Sequence, residues 1–295
     1  MTNKFIPAEI FEGFISCQPL PSLSALEEYY KEEFYGSEKP GFVNDSSKSV
    51  RDQDSDFYDR QYQIFANLLG VINGSVHLDL GCGYGHFLSY LSANFPATEL
   101  IGAEVYTEAA GYIGSISNAK FAHVDLNASP YFKEVNFSNI SSVSIINTLE
   151  HLMDPIDFCS ELFSNVCSGT VVLVQVPNDF NIIQLAANTS LSTGDWWFCP
   201  PRHISYFSPI GLSKLFVDAG FQQNHIINTF PIDMLLLCGL NYRADPKIGR
   251  EAHLMRCQFE SNFINAHGLQ GLIELYRGFC ACGIGREIIG VFVKP

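Results

Sequence analysis

The sequence has 295 residues, 47% of them hydrophobic and 16% charged, a balance that supports a packed core and excludes a disordered chain. Thirty-one acids against seventeen lysines and arginines give a formal charge of −14. The basic residues are scattered singly, so a nucleic-acid backbone or an anionic membrane surface would meet net repulsion, and neither is an expected partner.

Residues 1–20 hold two prolines and read as irregular, and Met1 to Pro7 lacks the apolar run of a secretion signal. The longest strongly apolar stretch, 234–240, is far short of the ~20 residues of a membrane-spanning helix. Nine cysteines are spread along the chain without a C-x-x-C pair. Reduced thiols in a cytoplasmic protein are expected, with no metal site.

Ser22 to Tyr35 reads as a helix with Ser22 as N-cap, carrying Tyr29, Tyr30, Phe34 and Tyr35, and 36–50 as a loop. A helix follows over 56–69, ending at Gly70. Strands are then expected at 75–80, 99–105, 119–124, 142–147 and 170–176, with helices at 87–95, 107–116 and from Pro155. Ser208-Pro209 opens another helix that stops at Gly220, and 221–228 and 287–293 are two further strands. Strands alternating with helices predict an α/β fold with a doubly wound, mostly parallel sheet of seven strands. The expected division is an extension or lid over 1–55 and one sheet domain over 56–295. Insertions at 178–207 and 231–286 are rich in aromatic residues and are expected to build lids over a pocket. Trp196 and Trp197 read either as the core of such an insertion or as an aromatic wall over a substrate.

The sharpest motif is Leu78-Asp79-Leu80-Gly81-Cys82-Gly83-Tyr84-Gly85-His86, running from a predicted strand into a predicted helix. The glycines allow a tight turn and close approach of a ligand to the backbone. A dinucleotide fingerprint would place its third glycine at position 86, where His86 stands. Glu104, nineteen residues after Gly85, can accept hydrogen bonds from ribose hydroxyls, in a nicotinamide dinucleotide or another nucleoside.

The G-x-G-x-G spacing behind Asp79 resembles the first motif of the class I S-adenosylmethionine-dependent methyltransferases. Leu149-Glu150-His151-Leu152-Met153-Asp154-Pro155 is similar to a segment of the small-molecule branch, including the quinone-biosynthesis O-methyltransferases. Pro177-Asn178, the run from Arg202 to Pro209 and the aromatic stretch from Tyr29 to Pro40 extend the likeness over about residues 25–230. The resemblance implies S-adenosylmethionine as cofactor and a small-molecule acceptor, with O-methylation favoured and a sugar, a quinone-like phenol or a secondary metabolite as candidates. It implies that Asp79, Gly81, Cys82, Gly83 and Gly85 lie along the methionine end, Glu104 and Val105 at the ribose, and Asp125 and Leu126 at the adenine. Asn147 is expected to face the same crevice. His151 and His203 are the candidate proton acceptors, since histidine titrates near neutral pH. A nicotinamide-dependent oxidoreductase and a non-catalytic cofactor-binding protein stay open as alternatives.

Overall fold

The structure is a computed structural model that describes residues 5–30 and 54–295. Seven strands form one sheet: β3 (Val76–Leu80), β4 (Glu99–Glu104), β5 (Ala119–His123), β6 (Ser142–Ile146), β7 (Val171–Pro177), β9 (Gln222–Asn228) and β10 (Glu287–Val293). Their order is β5-β4-β3-β6-β7-β10-β9. The first five run parallel, and β10 lies antiparallel between β7 and β9. Central strands β6 and β7 are buried almost throughout; β7 reads accordingly as a near-continuous apolar run, while β6 buries Ser142 and Ser144 among its apolar residues. The order turns back on itself between β3 and β6, and a crevice opens there beyond the carboxyl ends of the strands.

Helices cover both faces. On one, α5 (Pro155–Asn165) and α7 (Pro209–Asp218) bury Phe158, Leu162, Leu212 and Phe216 against the sheet. Each begins as the sequence dictates: Asp154 and Ser208 cap the N-terminus by accepting from Asp157 N and Gly211 N, with proline at the first helical position. On the other face, α2 (Ser55–Leu69), α3 (His86–Asn94) and α4 (Ala109–Gly114) share a core of Ile64, Phe65, Leu88, Leu91 and Ile113.

One expectation fails. The described part of 1–20 is not irregular: β1 (Ile6–Phe11) and β2 (Phe14–Gln18) form a hairpin around Gly13, and β2 pairs with β8 (Ser205–Phe207) in a second, three-stranded sheet. Pro7 is tolerated because β1 is an edge strand with most of its residues exposed. The predicted helix at 22–35 is found as α1 (Leu23–Tyr29), with Ser22 accepting from Ala25 N. Its remainder, with Phe34 and Tyr35, and the predicted loop at 36–50 lie outside the described residues.

Much of the segment 231–286 packs against the sheet, and its last residue, Arg286, lines the crevice. The segment forms α8 (Met234–Leu237) and the long α9 (Pro246–Ala281), interrupted at Gly268. Leu272, Ile273 and Tyr276 of α9 join the core shared with α2 and β10, so this helix walls the sheet. An ionic cluster locks the wall: the Glu260 carboxylate accepts from Arg60 Nε at 3.2 Å, Arg256 Nε at 2.9 Å and the Tyr276 hydroxyl at 2.6 Å, all buried. The other insertion, 178–207, carries α6 (Ile182–Leu191) and ends in β8, beside the crevice.

Candidate active site

The crevice holds about 560 Å³, within the range of small-molecule sites. Its floor is the glycine turn after β3. Gly81 N donates to Ala103 O at 2.8 Å, which draws the turn against β4. Gly81 has φ +73°, and a Cβ there would collide with Thr148, so this glycine is a structural necessity. Gly83 has φ +52°, yet a Cβ there would meet nothing within 4 Å and would stand in the crevice. Gly85 does not line the crevice; it is the left-handed N-cap of α3, packed near Ile113.

Two buried acids flank this turn. Glu104, at the end of β4, accepts from three backbone groups: Gly83 N at 2.9 Å, Val105 N at 2.9 Å and Tyr106 N at 3.1 Å. These fix the carboxylate at the crevice rim and tie the glycine turn to β4. Asp79, 3% exposed, accepts from the Ser144 hydroxyl at 2.5 Å. Ser144 gives its one proton to Asp79, so it accepts from His77 Nε2 at 3.0 Å, and His77 Nδ1 in turn accepts from Ser142. Burial, opposed by the Ser144 bond, pushes the Asp79 carboxyl up to about 7.

Asp79, Gly81, Cys82, Gly83, Glu104, Val105, Asp125, Leu126 and Asn147 all line the crevice, as do His151 and His203. Asp125 accepts from Asn127 N at 2.8 Å, and Val124 and Leu126 beside it are buried. Asn147 takes a positive φ of 50° and accepts from Gln175 Nε2 at 3.2 Å. The crevice also takes in Tyr30 from the end of α1, Tyr58 and Tyr62 from α2, and Arg202, Arg286 and Glu287. Of these last three, sequence reasoning singled out only Arg202, in the run that leads to Pro209. Arg286 and Glu287 are brought in by the antiparallel register that sets Glu287 opposite Pro177. Trp196 and Trp197 do not line the crevice; they pack on each other and on Phe180 inside the insertion.

The far end of the crevice is polar. The segment after β6 turns at Leu149–His151, and Ile204 N donates to Glu150 O at 2.9 Å, bringing residues 202–204 alongside. His151 Nδ1 lies 2.5 Å from Arg202 O. A carbonyl only accepts, so Nδ1 carries the proton and Nε2 a lone pair. Burial holds His151 down to about 3, which makes its imidazole neutral and a weak base. His203 stands against it with ring centroids 5.1 Å apart, and the Asp179 carboxylate lies 3.9 Å from His203 Nδ1. Burial raises the Glu150 carboxyl far above its ordinary range and brings Glu287, despite Arg286, up to about 7. Glu150, His151 and His203 each offer one ligand-type atom, and these atoms lie within 4.8 Å of one another.

A family model for the methyltransferase domain matches residues 57–226. Among curated proteins none matches the sequence. Solved structures similar to this chain include an S-adenosylmethionine-dependent methyltransferase from Archaeoglobus fulgidus, with 15% identity and a TM-score of 0.52 over 91% of this chain and 99% of that one. A geranyl diphosphate C-methyltransferase from Streptomyces coelicolor A3(2) aligns with 12% identity and a TM-score of 0.52, covering 88% and 86%. The [4+2]-cyclase SpnF aligns with 17% identity and a TM-score of 0.51, covering 80% of each chain. Identities this low speak for the fold, and a fold hosts more than one reaction. The match over more than half of the chain, on the seven-stranded sheet with its glycine turn, makes this protein a member of the methyltransferase-domain family, on the class I S-adenosylmethionine-dependent methyltransferase fold.

Proposed function

We propose that the chain methylates an oxygen of a small polar acceptor at the far end of this crevice, with S-adenosylmethionine bound along the glycine turn. The observation that carries the cofactor reading is the clamp of Glu104 on Gly83 N. A diphosphate would need that N–H and would meet two buried acids, whereas a donor bearing an ammonium and a sulfonium is attracted by them. When bound, S-adenosylmethionine supplies a methyl group already activated on sulfur.

The residues then divide by place. Gly83 leaves room for the methionine end to lie on the backbone, and Asp79 sits below it. Glu104 and Val105 are placed for the ribose. Asp125, with Val124 and Leu126, offers an acceptor and an apolar surface to an adenine. Glu150, His151, His203, Arg202, Arg286 and Glu287 form the acceptor end. Their polarity favours an acceptor with several hydrogen-bonding groups over a purely apolar one. His203 is the better proton acceptor of the two histidines, because burial weakens His151 as a base. The protein's remaining contribution is alignment and exclusion of water.

Calorimetric titration with S-adenosylhomocysteine and with NADH tests the reading. Stoichiometric binding of S-adenosylhomocysteine and none of NADH is expected. The reverse outcome rejects it, and S-adenosylhomocysteine binding without turnover on any oxygen acceptor would favour a non-catalytic binding protein.

A further inference from the structure

We infer that Glu150, His151 and His203 form a divalent transition-metal site, of the kind that takes Zn²⁺ or Mn²⁺, whose open positions hold the acceptor oxygen. The sequence carries no familiar metal spacing, because the third ligand is fifty-two residues beyond the second and is joined to it only by the fold. The role given to the cation rests on the proposed methyl transfer; its binding does not.

Three independent features converge. The first is the ligand set itself: two imidazoles and one carboxylate, with ligating atoms within 4.8 Å of one another and His151 Nε2 at 3.8 Å from Glu150 Oε1. Metal–ligand bonds of about 2.1 Å space tetrahedral ligand atoms by about 3.4 Å, so small side-chain shifts close the set around an ion. Imidazole with carboxylate suits first-row transition cations, and three protein ligands leave at least one position open.

The second feature is the Glu150 side chain. It is 2% exposed and lines the crevice, and its Oε2 has no hydrogen-bond partner among the described residues. A buried carboxylate oxygen without a donor costs free energy, and an ion in the crevice would supply what it lacks. The third is the backing of the imidazoles. Metal-binding histidines donate their other ring N–H to a carbonyl or a carboxylate, which fixes ring and tautomer. The first arrangement is present, since His151 Nδ1 donates to Arg202 O, and the Asp179 carboxylate stands 3.9 Å from His203 Nδ1, on the side where it would complete the second once the ring shifts toward it. Asp179 is itself held, by Gln184 Nε2 at 3.1 Å and Arg286 Nη1 at 3.5 Å. With an ion bound, His203 would serve as ligand in place of base; the ion would polarise the acceptor hydroxyl so that its proton passes to solvent water, and the oxygen would take the methyl as the sulfur–carbon bond breaks.

The test uses the full chain stripped with a chelator and titrated by calorimetry with Zn²⁺ and, separately, Mn²⁺. Wild type is expected to take one cation per chain. Glu150→Gln, nearly isosteric, and His203→Asn should each weaken that binding at least tenfold. Loading with Co²⁺ gives a second measurement that needs no variant: nitrogen ligation produces a visible spectrum distinct from that of the aqua ion. Absence of stoichiometric binding, an aqua-ion spectrum, or unchanged affinity in folded Glu150→Gln would overturn the site. S-adenosylhomocysteine titrated into the same samples keeps the questions apart. Its failure to bind wild type would remove the methyltransferase reading and leave the cation result standing.

Discussion

At the scale of single residues, the glycine turn separates two reasons for having no side chain. Gly81 is required by Thr148, and Gly83 is required by nothing in the protein itself. Gly83→Val is therefore expected to fold, with a strain cost of about 1–3 kcal/mol for its positive φ, and to lose S-adenosylhomocysteine affinity at least a hundredfold. Circular dichroism and calorimetry on one sample check both halves; unchanged affinity would move the cofactor elsewhere. His203→Ala should lower turnover at least tenfold and leave S-adenosylhomocysteine affinity within twofold, if it belongs to the acceptor end as proposed. Asp79 gives a pH dependence of defined sign. Its carboxyl is pushed up to about 7 from an ordinary 3.8, so the folded state holds a proton that the unfolded state has released. The cost of its burial is absent below about pH 3.8, grows between the two values, and is complete above about 7. Asp79→Asn should therefore melt close to wild type near pH 4 and several degrees above it at pH 8. A gap that narrows with rising pH would contradict this.

At the scale of elements, α9 is held by charge as well as by apolar packing. Glu260 lies between Arg60 of α2, Arg256 and Tyr276. Glu260→Gln leaves two buried guanidinium groups without their counter-charge, and a loss of about 3–5 kcal/mol is expected from urea unfolding. The same cluster explains why the segment 231–286 reads poorly from sequence. Its inward face carries Arg256 and Glu260 where a helix pattern would show apolar residues, so its periodicity is blurred. The parallel strands and capped helices were legible because local chemistry specifies them: Asp154-Pro155 and Ser208-Pro209 each set an N-cap beside a proline at the first helical position. Strands β1 and β2 were not, since β2 takes its second partner from residues 205–207, and no local signal records that pairing. That Asp79, Gly81, Gly83, Glu104, Asp125 and Asn147 share one crevice was similarly legible, because each lies at or directly after a strand end. Arg286 and Glu287 were not, because only the antiparallel return of β10 delivers them.

For the whole molecule, the charge of −14 bears on how the donor arrives. S-adenosylmethionine carries a net positive charge that S-adenosylhomocysteine lacks, so the protein's field accelerates the first and is indifferent to the second. Raising ionic strength from about 0.01 M to 1 M shortens the Debye length from about 30 Å to 3 Å. Stopped-flow association of S-adenosylmethionine should slow over this range, and that of S-adenosylhomocysteine should hardly change. Equal salt dependence for both would mean that the field acts only through the residues of the crevice.

The small sheet has a consequence for trimming the chain. Cys17 N donates to Ile204 O and Ile204 N to Glu150 O, so one residue stitches the N-terminal hairpin to the turn that carries the acceptor-side groups. The family match begins at residue 57, beyond that hairpin. A shortened protein started there would retain the whole seven-stranded sheet and the glycine turn, yet β8 would lose β2, its only strand neighbour among the described residues. Such a fragment would be half an enzyme, loading its donor normally with nowhere to deliver it.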